Sequence, residues 1–554
     1  MKRTRLRTPL APLLVLALAL PTALAQQAST VTVALPPATK ITYLFPITPS
    51  QSESNYNFQV QYVLYKPLLW VGKNIAVNFH RSVADAVTTK DGVHFLIQLN
   101  PKWHWSDGKP VTSADLLFFW KLVHSISAKN SSAYYAWGIG GVPQDIRSLT
   151  ALGPHRLELT TTHPVSVQWL ELNGLAQFIP LPKHAWDRYP GHPAKTLAWL
   201  QARGNKISFF RKSPVDGPFQ VGTFVPDQRY TLLRNPHYSG YQPGYAKLTE
   251  LYFTSSDAEF NALKAGQVDV GYLPAHLYAQ RHVPGVRFAS KSVWGFYYIY
   301  LNFLNPASAA LRSLTVRQAL QMAIDQPAMV KVIFHGQAVS DYGPVPYRPS
   351  TYLSNYLKSQ VPYPYDPAAG KKLLLAHGWK LVGGVMQKGG QRLSFTLQYA
   401  SGTATMQQQA ELFAQAAAEE GVKIRLKPSP FDTILGELGS VKAWTMVYWG
   451  GWTYQPDYYP TGDGIFNTGG GSNQEGYSSK TIDRLIQQTT AYAKTKAAAQ
   501  AALSAYQNAF AKRLPVLFLP VNNQLLEVSS RVHGVLSSYN STVTNWSPQD
   551  WILR

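Results

Sequence analysis

The segment VADAVTTKDGVHFLIQLNPKWHWSDGKPVTSADLLFFW, residues 83–120, carries the reading on which the fold turns. It ends in a helix start. Thr112-Ser113-Ala114-Asp115 has the spacing of a capping box, in which a hydroxyl and a carboxylate each satisfy a backbone N–H that the first helical turn leaves free. Leu116, Phe119, Trp120 and Val123 then fall on one helical face. His104 stands between Trp103 and Trp105 and reads as a packed turn residue rather than a ligand.

Helices and strands alternate outward from this segment, with Pro and Gly between them. Ser256-Asp257-Ala258-Glu259 caps a short helix that Gly266 ends, and the strand VDVGYL follows. Val316, Ala319, Leu320, Ala323 and Ile324 share one helical face. Asp366 and Pro367 open AAGKKLLLAHG, with Gly378 as its stop. TMQQQAELFAQAAAEEG ends at Gly421. Residues 481–514 are expected to form a helix pair or one long helix, leading into the apolar strand PVLFLPV. No repeat of 20–50 residues is present, which argues against a solenoid or propeller. Mixed strands and helices indicate an α/β or α+β protein.

The chain has 554 residues and 51 basic against 29 acidic side chains, a net charge of +22. The surplus comes from a shortage of acids. Beyond the N-terminus no Lys/Arg-rich run of five to eight appears, so a nucleic-acid partner is not expected. A polyanion-binding surface protein is the charge-driven alternative, and salt-sensitive retention on heparin would identify it.

The N-terminus, residues 1–25, reads as a signal peptide. MKRTRLR is a charged leader, PLAPLLVLALAL is too short to span a bilayer of about 20 residues, and Ala23-Leu24-Ala25 fits a cleavage site. The mature chain is expected to start near Gln26, to be soluble and to insert in no membrane. There is no cysteine, which removes disulfides, thiolate metal sites and a lipid-anchored N-terminal cysteine. A periplasmic location follows as an expectation.

Catalytic patterns do not emerge. There is no Gly-x-Ser-x-Gly elbow, no phosphate-binding loop and no His-Glu-x-x-His helix. Glu419 and Glu420 are adjacent on a helix, so their side chains diverge, and a solvated helix end is expected. GGGSNQEG, residues 469–476, reads as a flexible loop. No cofactor or metal is expected.

Residues 83–120 resemble the signature region of the family 5 extracellular solute-binding proteins, the dipeptide, oligopeptide and nickel receptors of ABC importers. The matching positions are Trp103, Asp107, Gly108, Lys109, Pro110, Val111, Thr112 and Asp115. Further blocks follow in order: YVLYKPLLWVG, VDGPFQVGTFVPDQRYTLLRNPHY, ALKAGQVDV, the 300–338 segment, YPYDPAAGKKLLLAHGW and GYSSKTIDRLIQQ.

The resemblance implies a two-lobed, class II periplasmic binding-protein fold whose lobes close over ligand on a hinge. Lobe I would span residues 26–300, with an inserted subdomain at about 56–186. Lobe II would span 301–514, and 515–554 would return to lobe I. The hinge would lie near residues 300–305 and 513–515. The expected role is delivery of a peptide-like or other small organic solute to an ABC permease, by a monomer without chemistry of its own. A nickel chelate or a saccharide is the alternative ligand, and an exported hydrolase with a nucleophile–base pair in the cleft is the alternative class.

The resemblance also places the cleft. The block around MVYWGGWTYQPDYY would be a strand and loop facing it, with Trp449, Gly450, Gly451, Trp452, Tyr454 and Asp457 as candidate contacts. Gly450 and Gly451 would let the backbone approach something closely. In peptide-binding members an aspartate one residue after the equivalent of Gly451 holds the peptide's ammonium, and here that position is Trp452. A tryptophan face still attracts a cation or stacks on a flat ligand. Tyr43, Phe45 and Trp137 are further candidates. With few acids in the chain, and a free Asp titrating near a pKa of about 3.9, a cleft held by contacts that do not titrate would suit an acidic exterior.

Overall fold

The computed structural model describes residues 29–37, 39–73, 75–540 and 547–554. The expected signal peptide and its cleavage site lie outside them. Three sheets organise the chain, and the segment 83–120 builds the smallest of these. Ala84–Thr89, His94–Leu99, Arg156–Thr161 and Ile146–Gly153 form a four-stranded antiparallel sheet in that order. Phe95, Ile97 and Leu99 alternate into the core, as period-two patterning requires. The turn at Gly108 leads into the helix Ser113–His124, and both halves of the capping box form: Asp115 accepts from the Thr112 N–H at 2.9 Å. His104 lies on that turn, its Nδ1 2.8 Å from the Lys102 carbonyl.

The main sheet has seven strands, in the order Val286–Lys291, Gln524–Ser529, Val270–Tyr272, Thr30–Ala34, Lys247–Leu251, Arg229–Arg234 and Phe219–Val225. Thr30–Ala34 runs parallel to Lys247–Leu251 and the outer pairs are antiparallel. The second large sheet orders Lys423–Ser429, Ser394–Ala400, Met446–Tyr448, Gly295–Leu301 and Gly451–Thr453, and Leu517–Leu519 also pairs with Gly295–Leu301. The Ala-rich stretch resolves into two helices, Lys480–Thr490 and Lys496–Arg513.

Sheet membership moves the expected lobe boundaries. Gly295–Leu301 lies wholly in the second sheet, and so does Leu517–Leu519. Val521–Asn522 still pairs with Ala338–Val339 on that side. The chain therefore passes between the sheets at residues 291–295 and 522–524, not at 300–305 and 513–515. The two passages touch, because the Asn523 amide donates to the Ser290 hydroxyl at 2.8 Å. Among the described residues no helix is long and apolar enough to cross a membrane.

Candidate functional site

Two adjoining chambers open between the main sheet and the second sheet. The first has a volume of about 180 Å³. The second has about 220 Å³ and shares Tyr56, Tyr272, Tyr297, Phe431, Trp449 and Gln524 with it. Together they fall in the roughly 300–1,000 Å³ range of small-molecule sites. One wall comes from the loop and helix start at residues 53–59, with Tyr272 and Gln524 of the main sheet. The opposite wall comes from Met406, Phe431, Leu435 and residues 449–453. The walls already touch: the Asn55 amide donates to the Thr453 hydroxyl at 3.2 Å.

The residues 446–453 wall has a specific local cause. Both Met446–Tyr448 and Gly451–Thr453 pair with the single strand Gly295–Leu301, at Tyr300↔Val447 and Phe296↔Trp452. Trp449 and Gly450 form the step between them. Gly450 has φ +127°, open to glycine. A Cβ on Gly451 would lie 2.2 Å from the Phe296 carbonyl oxygen. At Gly451 the close approach expected of the glycine pair is to a neighbouring strand.

The sequence candidates divide. Trp449, Gly450, Gly451 and Trp452 line the first chamber. Trp452 is nearly buried and its indole N–H donates to Asp457 at 2.8 Å. Asp457 lies behind the wall, with its carboxyl raised well above the usual range by burial and then by neighbouring Asp463. Tyr454 is fully buried, with its hydroxyl on the Pro344 carbonyl. Neither Asp457 nor Tyr454 reaches the chambers, so both support the wall.

Three further candidates are core residues and are corrected. Phe45 packs edge-on against Trp186 with ring centroids 5.8 Å apart. The Tyr43 ring fills the space over Gly204, where a Cβ would meet it at 2.1 Å. Trp137 is buried beside Gly471, whose Cβ would meet its carbonyl oxygen at 2.9 Å.

What residue reading missed is the polar floor. Glu53, Ser54, Asn55, Gln59, Gln455 and Gln524 line the first chamber, and Glu259 lines the second. Glu53 lies ten residues after the candidate Tyr43. Burial pushes the Glu53 carboxyl up to about 8, against a Ser472 hydroxyl at 3.5 Å that pulls it down. Glu259 is also raised well above its ordinary value by burial, although its Oε1 accepts the Tyr272 N–H at 2.7 Å. The expectation of a cleft without titrating contacts is thereby overturned.

With this geometry in hand, known proteins place the chain. Residues 78–471 match the model of the bacterial extracellular solute-binding proteins, family 5 Middle. Protein XP55 of Streptomyces lividans is 29% identical over 244 residues, 42% of this chain and 44% of that protein, so the match spans less than half of the relative's length. The oligopeptide-binding protein AppA of Bacillus subtilis is 23% identical over 476 residues, 83% of this chain and 81% of that protein. The structure of AppA in complex with a nonapeptide superposes with a TM-score of 0.82 at 18% identity, over 95% of this chain and 99% of that one. NikZ from Campylobacter jejuni in complex with Ni(L-His) gives 0.77 at 19% identity over 95% and 99%. These two structures share the mixed α/β fold with this chain.

Proposed function

The chain belongs to the bacterial extracellular solute-binding proteins of family 5, and on that premise we propose that it is the periplasmic receptor of an ABC importer, binding a peptide-like or other small organic solute and passing it to the permease. The observation that carries the reading is the pair of chambers between the two large sheets, walled by residues from both. A ligand held there contacts both lobes at once and so favours the closed arrangement over the open one. The lobes move about residues 291–295 and 522–524, where the chain changes sheets twice in adjacent passages.

Binding without chemistry fits the lining. Ser54, Ser256 and Ser401 face the chambers, but among the described lining residues there is no histidine or lysine to act as a base. No serine–histidine or serine–lysine pair is therefore assembled among the described lining residues. Peptide is the leading ligand class because both amide side chains and aromatic rings line the walls, matching a backbone that offers N–H, C=O and apolar side chains.

Native mass spectrometry of protein purified from its own host's periplasm tests this. A co-purified solute of a few hundred daltons, released on denaturation, is the expected result. Exclusive recovery of ligand-free protein that also binds no offered peptide would overturn the proposal.

A further inference from the structure

Among the described residues that line the two chambers, Glu53 and Glu259 are the only acidic side chains, and none of these residues is a lysine, arginine or histidine. The chain as a whole has 51 basic residues against 29 acidic ones, so the cleft is an acidic interior in a basic molecule.

Both carboxyls are positioned to receive a charge that the protein does not supply. Glu53 precedes the helix Asn55–Leu64, lines the first chamber, and takes one long hydrogen bond, from Ser472 at 3.5 Å. Glu259 sits on the helix Ser256–Lys264 and lines the second chamber, with Oε1 on the Tyr272 N–H. Neither forms an ion pair among the described residues. The rings of Tyr56, Tyr297, Phe431, Trp449 and Trp452 line the same chamber, and a ring face attracts a cation placed over it. A carboxylate entering the same space would meet two acids and no cation, and would lose its hydration without a partner.

We propose that the cleft selects solutes bearing a protonated amine or guanidinium and no free carboxylate, with Glu53 as the principal charge partner. This rests on the receptor reading above. It moves the ammonium anchor from position 452, where this chain has tryptophan, to the opposite wall.

The test is equilibrium dialysis of the purified protein against four probe sets, read by mass spectrometry. The first three are di- to pentapeptide mixtures built without Asp, Glu, Lys, Arg or His, so that the termini alone carry charge: free amine with amidated C-terminus, free amine with free acid, and N-acetylated with amidated C-terminus. The fourth set combines neutral disaccharides with nickel–histidine. The free-amine amides should be retained about tenfold or more over both other peptide sets. Glu53→Gln should reduce their retention by a similar factor with its melting temperature no lower, and Glu259→Gln serves as the second variant if Glu53→Gln does not fold.

Equal retention of free acids or of acetylated peptides would overturn the charge selection. Retention of the fourth set alone would also overturn it while leaving the receptor standing. Retention of nothing from any set would overturn the receptor reading itself.

Discussion

Asp463, in the loop after the Gly451–Thr453 strand, accepts the indole N–H of Trp169 at 2.8 Å. The same carboxyl takes the Gly140 N–H at 2.6 Å and the Asn173 amide at 3.3 Å. Three donors from residues 140–173 thus converge on a single buried acid 290 or more residues further along the chain, and Gly464 next to it packs so closely that a Cβ would meet Ile139 at 2.3 Å.

This convergence should hold the closed state. Asp463→Ala removes four hydrogen bonds to a carboxyl, three from residues 140–173 and one from the neighbouring Thr461 hydroxyl, each contributing about 1 kcal/mol or more. Ligand affinity should fall by about ten- to a hundredfold, chiefly through faster release. Small-angle scattering of the ligand-free variant should show a more open particle. Unchanged affinity together with an unchanged scattering profile would detach Asp463 from closure.

Trp452 offers a cleaner dissection. Trp452→Ala removes a wall of the first chamber and also leaves buried Asp457 without its indole donor. Trp452→Phe keeps a ring face and removes only the N–H. Calorimetric titration should show the alanine variant weakened by about tenfold, with the phenylalanine variant close to the parent. Thermal melts should show both destabilised by about 1 kcal/mol or more. Full affinity in the alanine variant would reassign Trp452 to packing.

Ligand affinity should depend on pH in a defined direction. The Glu53 carboxyl is raised to about 8 by burial. The titratable groups around it are Asp457, Tyr135, Tyr298 and Tyr300, while Ser472 donates to it. A protonated Glu53 offers a cation little, so binding of an amine should strengthen as pH rises from about 5 toward 8. Titrations at half-unit pH steps check this, and in Glu53→Gln the slope should flatten.

Stability should run the other way. Burial raises the carboxyls of Glu250 and Glu475 to about 8, and burial with Asp366 and Glu419 nearby raises Glu420 to about 9. Their unfolded values lie near 4.3. The native state therefore holds more protons than the unfolded one between those limits, and stability is full in acid and lost as pH climbs. The melting temperature should peak near pH 4–5 and drop by about 5 °C or more by pH 8.5. A melting temperature that rises across that interval would contradict the assignment of these groups as protonated.

The DGKPVT turn should matter for folding alone. Thr112→Ala breaks the capping box and should cost about 0.5–2 kcal/mol while ligand affinity stays unchanged. Loss of binding in a folded variant would give the motif a role that its position, remote from both chambers, does not.

The sequence made the elements legible where local chemistry decides them. The Thr112–Asp115 cap, the stops at Gly266, Gly378 and Gly421, and the strand Val270–Tyr272 are all in place. Tertiary packing decided the rest. Glu420 reads as a solvated helix end, yet it is fully buried, and a Cβ on Gly370 would lie 2.0 Å from its Oε1. The site was half legible for the same reason. The Trp449–Trp452 wall follows from a motif, whereas Glu53, Tyr272 and Gln524 come from three distant parts of the chain that only the sheets bring together. Tyr43 and Phe45 were candidates through the family resemblance of their segment, and packing took both rings into the core.

The Asn55–Thr453 hydrogen bond bridges the mouth of the first chamber in a chain without a single cysteine. Asn55→Cys and Thr453→Cys would therefore introduce the only two thiols, facing each other across the gap. Oxidised, they would lock the receptor shut around its cargo. Labelled with a dye pair, they would turn each capture event into an optical signal, without background from native sulfhydryls.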